Sequence, residues 1–430
     1  MITRRHCFRA GASALATLLS AQERPLSSLV YPGTDGRLQY RRDELGNRIP
    51  DFSACGYLGG GAPIPEVAVK ATVLPTTGDA TARIQAAIDA VSGMELDEAG
   101  FRGAVLLTRG RYEIGGVLRI AATGVVLRGE GRGTDGTVLY ATGRQQRTLI
   151  EIRGTSSGRV LAVEGRITAE YVPVGETAIP VASVGTLRPG DTVIVRRISN
   201  AAWISAIAMD RITPRPDDPG NTVQWTPFNL DFERHVVAVE DGRVTLDAPI
   251  TCAIEQRWGG GEIRKYDEST RIWNVGIEHM SGVSEFDPSV QRELRGTRYF
   301  ADERHAWSFI GIENANNVWV REIDSRHFGF ACVDIGRARW VTVRDCDNRD
   351  MVSEITGSRR YSYNVEGQLC LIERCDSDSG RHDFVVGARI CGPNAFVDCT
   401  AGVTYAMSEP HHRWSVGGLY DNVRAPIAIQ

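Results

Sequence analysis

Apart from one stretch, hydrophobic and polar positions in this chain alternate over short spans and never settle into a helical period. The exception is GDATARIQAAIDAVSGM, residues 78–94, where Ile84, Ile88 and Val91 recur on one helix face and Asp79 or Thr81 is placed to cap it. Beyond it the pattern shortens to four to six residues of Val, Leu, Ile and Tyr between glycines, as in GAVLLTRGRYEI, GVLRIAATGVVLRGEG and TVLYATG. That alternation is the period of a strand with one buried face.

The carboxy-terminal half repeats the pattern in register. NVWVREIDS from 317, WVTVRDCDN from 340, CLIERCDSD from 370 and AFVDCTA from 395 each alternate apolar with charged residues and end on a small or acidic one. Cys346, Cys375 and Cys399 fall on matched positions, 29 and 24 residues apart. Units of this length built from strands and turns, with no helix between them, predict a β-solenoid. Its coils stack about 4.8 Å apart, so matched positions become ladders. An inward Cys ladder is then a column of small hydrophobes, and free buried thiols are expected rather than disulfides.

The amphipathic helix followed by GAVLLTRGRYEIGGVLRI, GVVLRGEG and the later coils resembles the right-handed parallel β-helix of the pectate-lyase-like superfamily. The resemblance covers about residues 70–150 and 260–430. It implies an all-β parallel β-helix whose amino-terminal end is capped by the helix, in a superfamily of lyases, hydrolases, epimerases and phage adhesins. The segment between, 159–258, reads differently. It predicts a compact antiparallel module with hairpin turns such as EDGR and an aromatic loop, NAAWISAIAMDRITPRPDDPGNTVQWTPFN. That loop either packs on its own module or offers Trp rings to a sugar.

Four segments follow: a leader over 1–22, first coils with the capping helix over 23–158, the inserted module over 159–258, and the remaining coils over 259–430. Arg4 and Arg5 ahead of a short Ala/Leu stretch ending at Ala21 read as a twin-arginine export signal, placing the protein in the periplasm or outside the cell. Net charge is −4, so no global basic field recruits nucleic acid, and no run of eighteen apolar residues offers a membrane span. The last coil shows no cap, an open edge through which an oligomer could form.

Candidate chemistry enters with a charge pattern. Arg304, Arg326, Arg349, Arg381 and Arg413 each precede an apolar strand, at intervals of 22, 23, 32 and 32 residues. The positions after them are His305, His327, Asp350, His382 and Trp414. One arginine per coil would set like charges about 5 Å apart, a repulsion of roughly 3 kcal/mol at an effective dielectric near 20. Interleaved carboxylates or an acidic glycan along the coils must offset it. Five of the eight histidines (305, 327, 382, 411 and 412) lie in or beside this edge, with Arg360, Tyr361 and Tyr363.

Arg, His and Tyr on adjacent coils satisfy what a uronate lyase needs: charge neutralisation, a base for the C5 proton and an acid for the leaving O4. The expected catalytic set is His382 as base, Tyr361 or Tyr363 as acid, and Arg381 with Arg413 on the carboxylate. Arg326, Arg349, Asp350, Arg360, His305, His327, His411, His412 and Trp414 would line the wall and bind the acidic polysaccharide. The rival class is glycoside hydrolysis by Asp350 with Asp383, or Asp378 with Asp383. A uronan epimerase and a non-catalytic glycan-binding solenoid remain alternatives. No cofactor is expected: the histidines lack metal-ligand spacing, the calcium site of pectate lyases is not found, and Ca2+ at Asp345, Asp347, Asp376 and Asp378 is conceivable without being claimed.

Overall fold

The computed structural model describes residues 27–216, 219–411 and 413–428. The expected leader and His412 therefore lie outside the described residues.

The strands form the parallel β-helix that the repeat implies. One parallel ladder runs the length of the molecule. Its inward row is Ala71, Val105, Leu127, Ile277, Val320, Val343, Ile372, Phe396 and Tyr420, each opposite the next. A second carries Tyr112, Leu139, Gly282, Ser325, Asn348, Ser377 and Ala401. A third carries Leu118, Ile150, Ile310, Val333, Tyr363 and Phe384. Apolar side chains meet their equivalents on neighbouring coils, so one continuous core fills the solenoid. Asp376, Thr400 and Arg424 donate backbone N–H groups to the carbonyls of Cys346, Cys375 and Cys399. Matched cysteines therefore occupy one corner of successive coils, buried and unbridged.

The helix Thr81–Ser92 caps the core with Ile84, Ile88 and Val91, all buried. Asp79 accepts from the N–H and hydroxyl of Thr81 at its start.

The inserted module is a six-stranded antiparallel sheet, from Arg159–Arg166 to Gly261–Asp267. It runs nine residues past the expected boundary at 258, because Gly261–Asp267 pairs with both Arg159–Arg166 and Thr192–Arg197. Buried Arg234 fastens it to the solenoid, donating to the carbonyls of Ala248, Pro249 and Gly392. The aromatic loop packs inward. Trp203 is buried, edge-on to Phe228 at 5.4 Å and to Trp414 at 4.9 Å. Trp414 thus belongs to the seam between module and last coils, not to a groove wall.

Candidate active site

The strands Tyr361–Gln368 and His382–Val386 lie side by side on the third ladder, with Tyr361 opposite His382. The next coil passes over them as the segment 405–411. Together they assemble a cluster at the rim. The Tyr361 hydroxyl lies 2.9 Å from His411 Nε2, and His411 Nδ1 lies 2.6 Å from Glu409 Oε1. His382 stands beside them, its ring centroid 4.5 Å from that of His411 and 5.1 Å from that of Tyr361. Its Nδ1 is 2.6 Å from the Met407 carbonyl and its Nε2 is 2.6 Å from Arg381 Nη1. A carbonyl only accepts and a guanidinium only donates, so His382 is the neutral Nδ1–H tautomer with its Nε2 lone pair towards Arg381. Burial, with Arg381 and His411 adding positive charge, pushes its pKa down to about 4.

Of the expected residues, the structure brings Tyr361, Arg381, His382 and His411 together. The others go elsewhere. Tyr363 is in the core, stacked on Phe384, its hydroxyl donating to the carbonyls of Cys346 and Asp376. Asp383 is sealed inside the coil corner, accepting from Ser362 and Ser377. Burial pushes its carboxyl up. Neither Asp350 nor Asp378 can share a solvent-filled site with it, so the expected hydrolase pairs do not form. His305 is buried against Ser284 and the carbonyls of Asp302 and Val352. Arg360 is buried and donates to the carbonyls of Phe300, Ser353 and Ser379; burial pushes it down to about 10. His327 packs its ring on Phe286.

The arginine column resolves into separate pairs. Arg326 and Arg349 are in register on the second ladder, with Asp347 3.0 Å from Arg349 and exposed Asp350 3.9 Å from Arg326. Arg381 follows Arg360 on the third, its N–H on the Arg360 carbonyl. Exposed Arg413 lies over Arg389, whose N–H it accepts, so it does not join Arg381 on one carboxylate. The long turn 350–360 carries the chain from the second ladder to the third, between Arg349 and Arg381.

Glu409, Phe330 and Trp307 escaped the sequence reading as parts of a site. Glu409 had a signal: Glu-Pro-His in an extended segment puts Glu409 and His411 on one side. Phe330 and Trp307 each directly precede an apolar strand, and their rings stack at 6.4 Å, with Phe330 5.3 Å from Tyr361. This aromatic strip leads into the cluster from neighbouring coils.

His382, Glu409 and His411 offer ligand atoms within 4.8 Å of one another and are the residues here that could hold a metal ion. Of the four carboxylates named for Ca2+, three lie against arginines: Asp345 against Arg374, Asp347 against Arg132 and Arg349, and Asp376 4.0 Å from Arg349. Asp378 accepts from the Ser379 hydroxyl and the Val403 N–H. Among the described residues no helix is long and apolar enough to cross a membrane.

No family model and no curated protein matches this sequence. Solved structures do align. A protein of Geobacillus virus E2 (ORF18) matches over 82% of this chain and 48% of its own, at 10% identity and TM-score 0.40. The tailspike of Pseudomonas phage LKA1 matches over 80% and 56%, at 13% identity and TM-score 0.33. The A-module of a mannuronan C-5 epimerase of Azotobacter vinelandii matches over 80% and 59%, at 12% identity and TM-score 0.36. The chain spans about half the length of these structures. The fold is the parallel β-helix that the sequence repeat implies.

Proposed function

We propose that this chain is a carbohydrate-active β-helix that cleaves a uronate-containing glycan by β-elimination at Tyr361, His382 and His411. One observation carries the reading: a tyrosine hydroxyl bonded to a histidine that a glutamate orients, beside a second histidine held neutral. Arg381 is the group that pairs with the substrate carboxylate, which lowers the cost of charge developing at C5. In turning to it, Arg381 uncovers the Nε2 lone pair of His382. That nitrogen takes the C5 proton, the electron pair becomes the C4–C5 double bond, and the C4–O4 bond breaks. Tyr361 gives its proton to O4; His382 then releases the C5 proton to solvent, and His411 with Glu409 relays a proton from solvent back to the phenolate, which restores both groups. Export, implied by the twin arginine, would place the enzyme where such glycans are met.

The test is incubation with pectate, alginate, ulvan and glycosaminoglycans, following ultraviolet absorbance and reducing ends together. Absorbance rising with reducing ends, and lost in H382A and Y361F, is the expected result. Reducing ends without absorbance would overturn elimination.

A further inference from the structure

Beside the cluster, along the outer face of the third ladder, lies a groove of about 310 Å³. Two rows of residues floor it in register. One is Glu151, Gly311, Asp334 and Asn364; the other is Arg153, Glu313, Gly336 and Glu366. The glycines sit between carboxylates, and they differ. A side chain on Gly336 would meet Glu313 Oε2 at 2.2 Å, so that carboxylate already leans over the position. A side chain on Gly311 would meet Thr148 Cγ2 at 3.1 Å, so a threonine, not a carboxylate, lies nearest the floor between Glu151 and Asp334. Asp334 accepts from Asn364 Nδ2 at 2.9 Å, and its second oxygen has no partner among the described residues. Burial, with Glu366 and Glu313 nearby, pushes its carboxyl up to about 6. Phe330 forms a wall of the groove and is the ring next to Tyr361, so groove and cluster are continuous.

An aromatic wall and hydrogen-bond acceptors with free capacity suit the face and hydroxyls of a pyranose. Glu313 is held by Arg337 (2.6 Å) and Glu151 by Arg119 (3.1 Å), whereas Asp334 and Glu366 have no arginine partner among the described residues and repel a unit that is itself a carboxylate. We infer that this groove is a subsite for a sugar without a carboxyl group, so that the substrate is a heteroglycan in which uronates are separated by uncharged or amino sugars. The uronate half of this inference rests on the elimination reading; the groove half does not.

Affinity electrophoresis of the full chain tests it without turnover, in gels containing pectate or alginate and the same polymers half carboxyl-reduced with carbodiimide and borohydride. The expected result is at least fivefold tighter retention by a half-reduced polymer than by its parent. Glu366→Gln, an exposed change, and Asp334→Asn with it should improve retention by the fully acidic polymer about fivefold and change the half-reduced value less than twofold. Equal retention by both forms, retention in no gel, or variants that leave the ratio unmoved would each overturn it. A parallel absorbance assay separates the two readings. Absorbance without a retention preference sinks the subsite alone, and a preference without absorbance sinks elimination alone.

Discussion

Tyr361 and Tyr363 stand two residues apart on one strand and do opposite things. Tyr363 is sealed in the core with its hydroxyl spent on two carbonyls; Tyr361 sits at the coil corner with its hydroxyl on His411. The arginines opposite one another next to them divide the same way. Arg360 is locked on three carbonyls inside the turn, while Arg381 rests on His382 at the rim. Side-chain chemistry is alike within each pair, and what separates them is where the coil bends. Tyr363 and Arg360 are structural fasteners for a solenoid with long turns. On the proposed reading, the chemistry falls to groups such as Tyr361 and Arg381, whose hydrogen bonds end on other titratable side chains.

The largest expected effect that would break this contrast is Tyr361→Phe. It should lower elimination by roughly 10²- to 10⁴-fold with an unchanged circular dichroism spectrum, the range for loss of a positioned acid. Arg360→Met should do the reverse, costing about 3 kcal/mol in urea unfolding because three buried carbonyls lose their donor, with activity per folded molecule retained. Tyr363→Phe should cost about 1–2 kcal/mol by the same measurement, again with activity retained. If Tyr363→Phe abolished turnover while leaving stability intact, the division between core and rim tyrosines would be wrong.

A further effect sharpens the contrast through pH. His382 titrates about 4 in the fold against an ordinary value near 6.5. Below pH 6.5 the unfolded chain therefore binds a proton that the folded chain refuses. Stability should fall as pH drops from 6.5 to 4, and H382N should flatten that slope. Melting temperatures across pH 4–7 would read this as a difference on the order of a few degrees. Parallel slopes in both proteins would show that His382 is not held neutral.

The candidate site was half legible. Tyr361, Arg381, His382 and His411 stood out because histidines are few and cluster by repeat. His305, Arg360 and Asp383 stood out for the same reason and proved to be fasteners, since position within a repeat does not say whether a side chain enters the coil or leaves it at a bend. Glu409 could have been found from its spacing to His411. Asp334 and its groove could not, because its neighbours Glu151 and Glu366 are 183 and 32 residues away along the chain and meet it only by stacking.

What the sequence by itself determined is the part that repeats: a capping helix with Ile84, Ile88 and Val91 inward, strand-length alternation, and Cys346, Cys375 and Cys399 at one corner of successive coils. Burial of the same side-chain type at the same place in every coil leaves a period in the chain, and a period can be read. The tertiary structure alone decided which arginines stack, because turns of unequal length shift charged residues from one ladder to another without disturbing the apolar pattern. It also decided which polar groups meet, since contacts across coils are set by register in the ladder and not by distance along the chain.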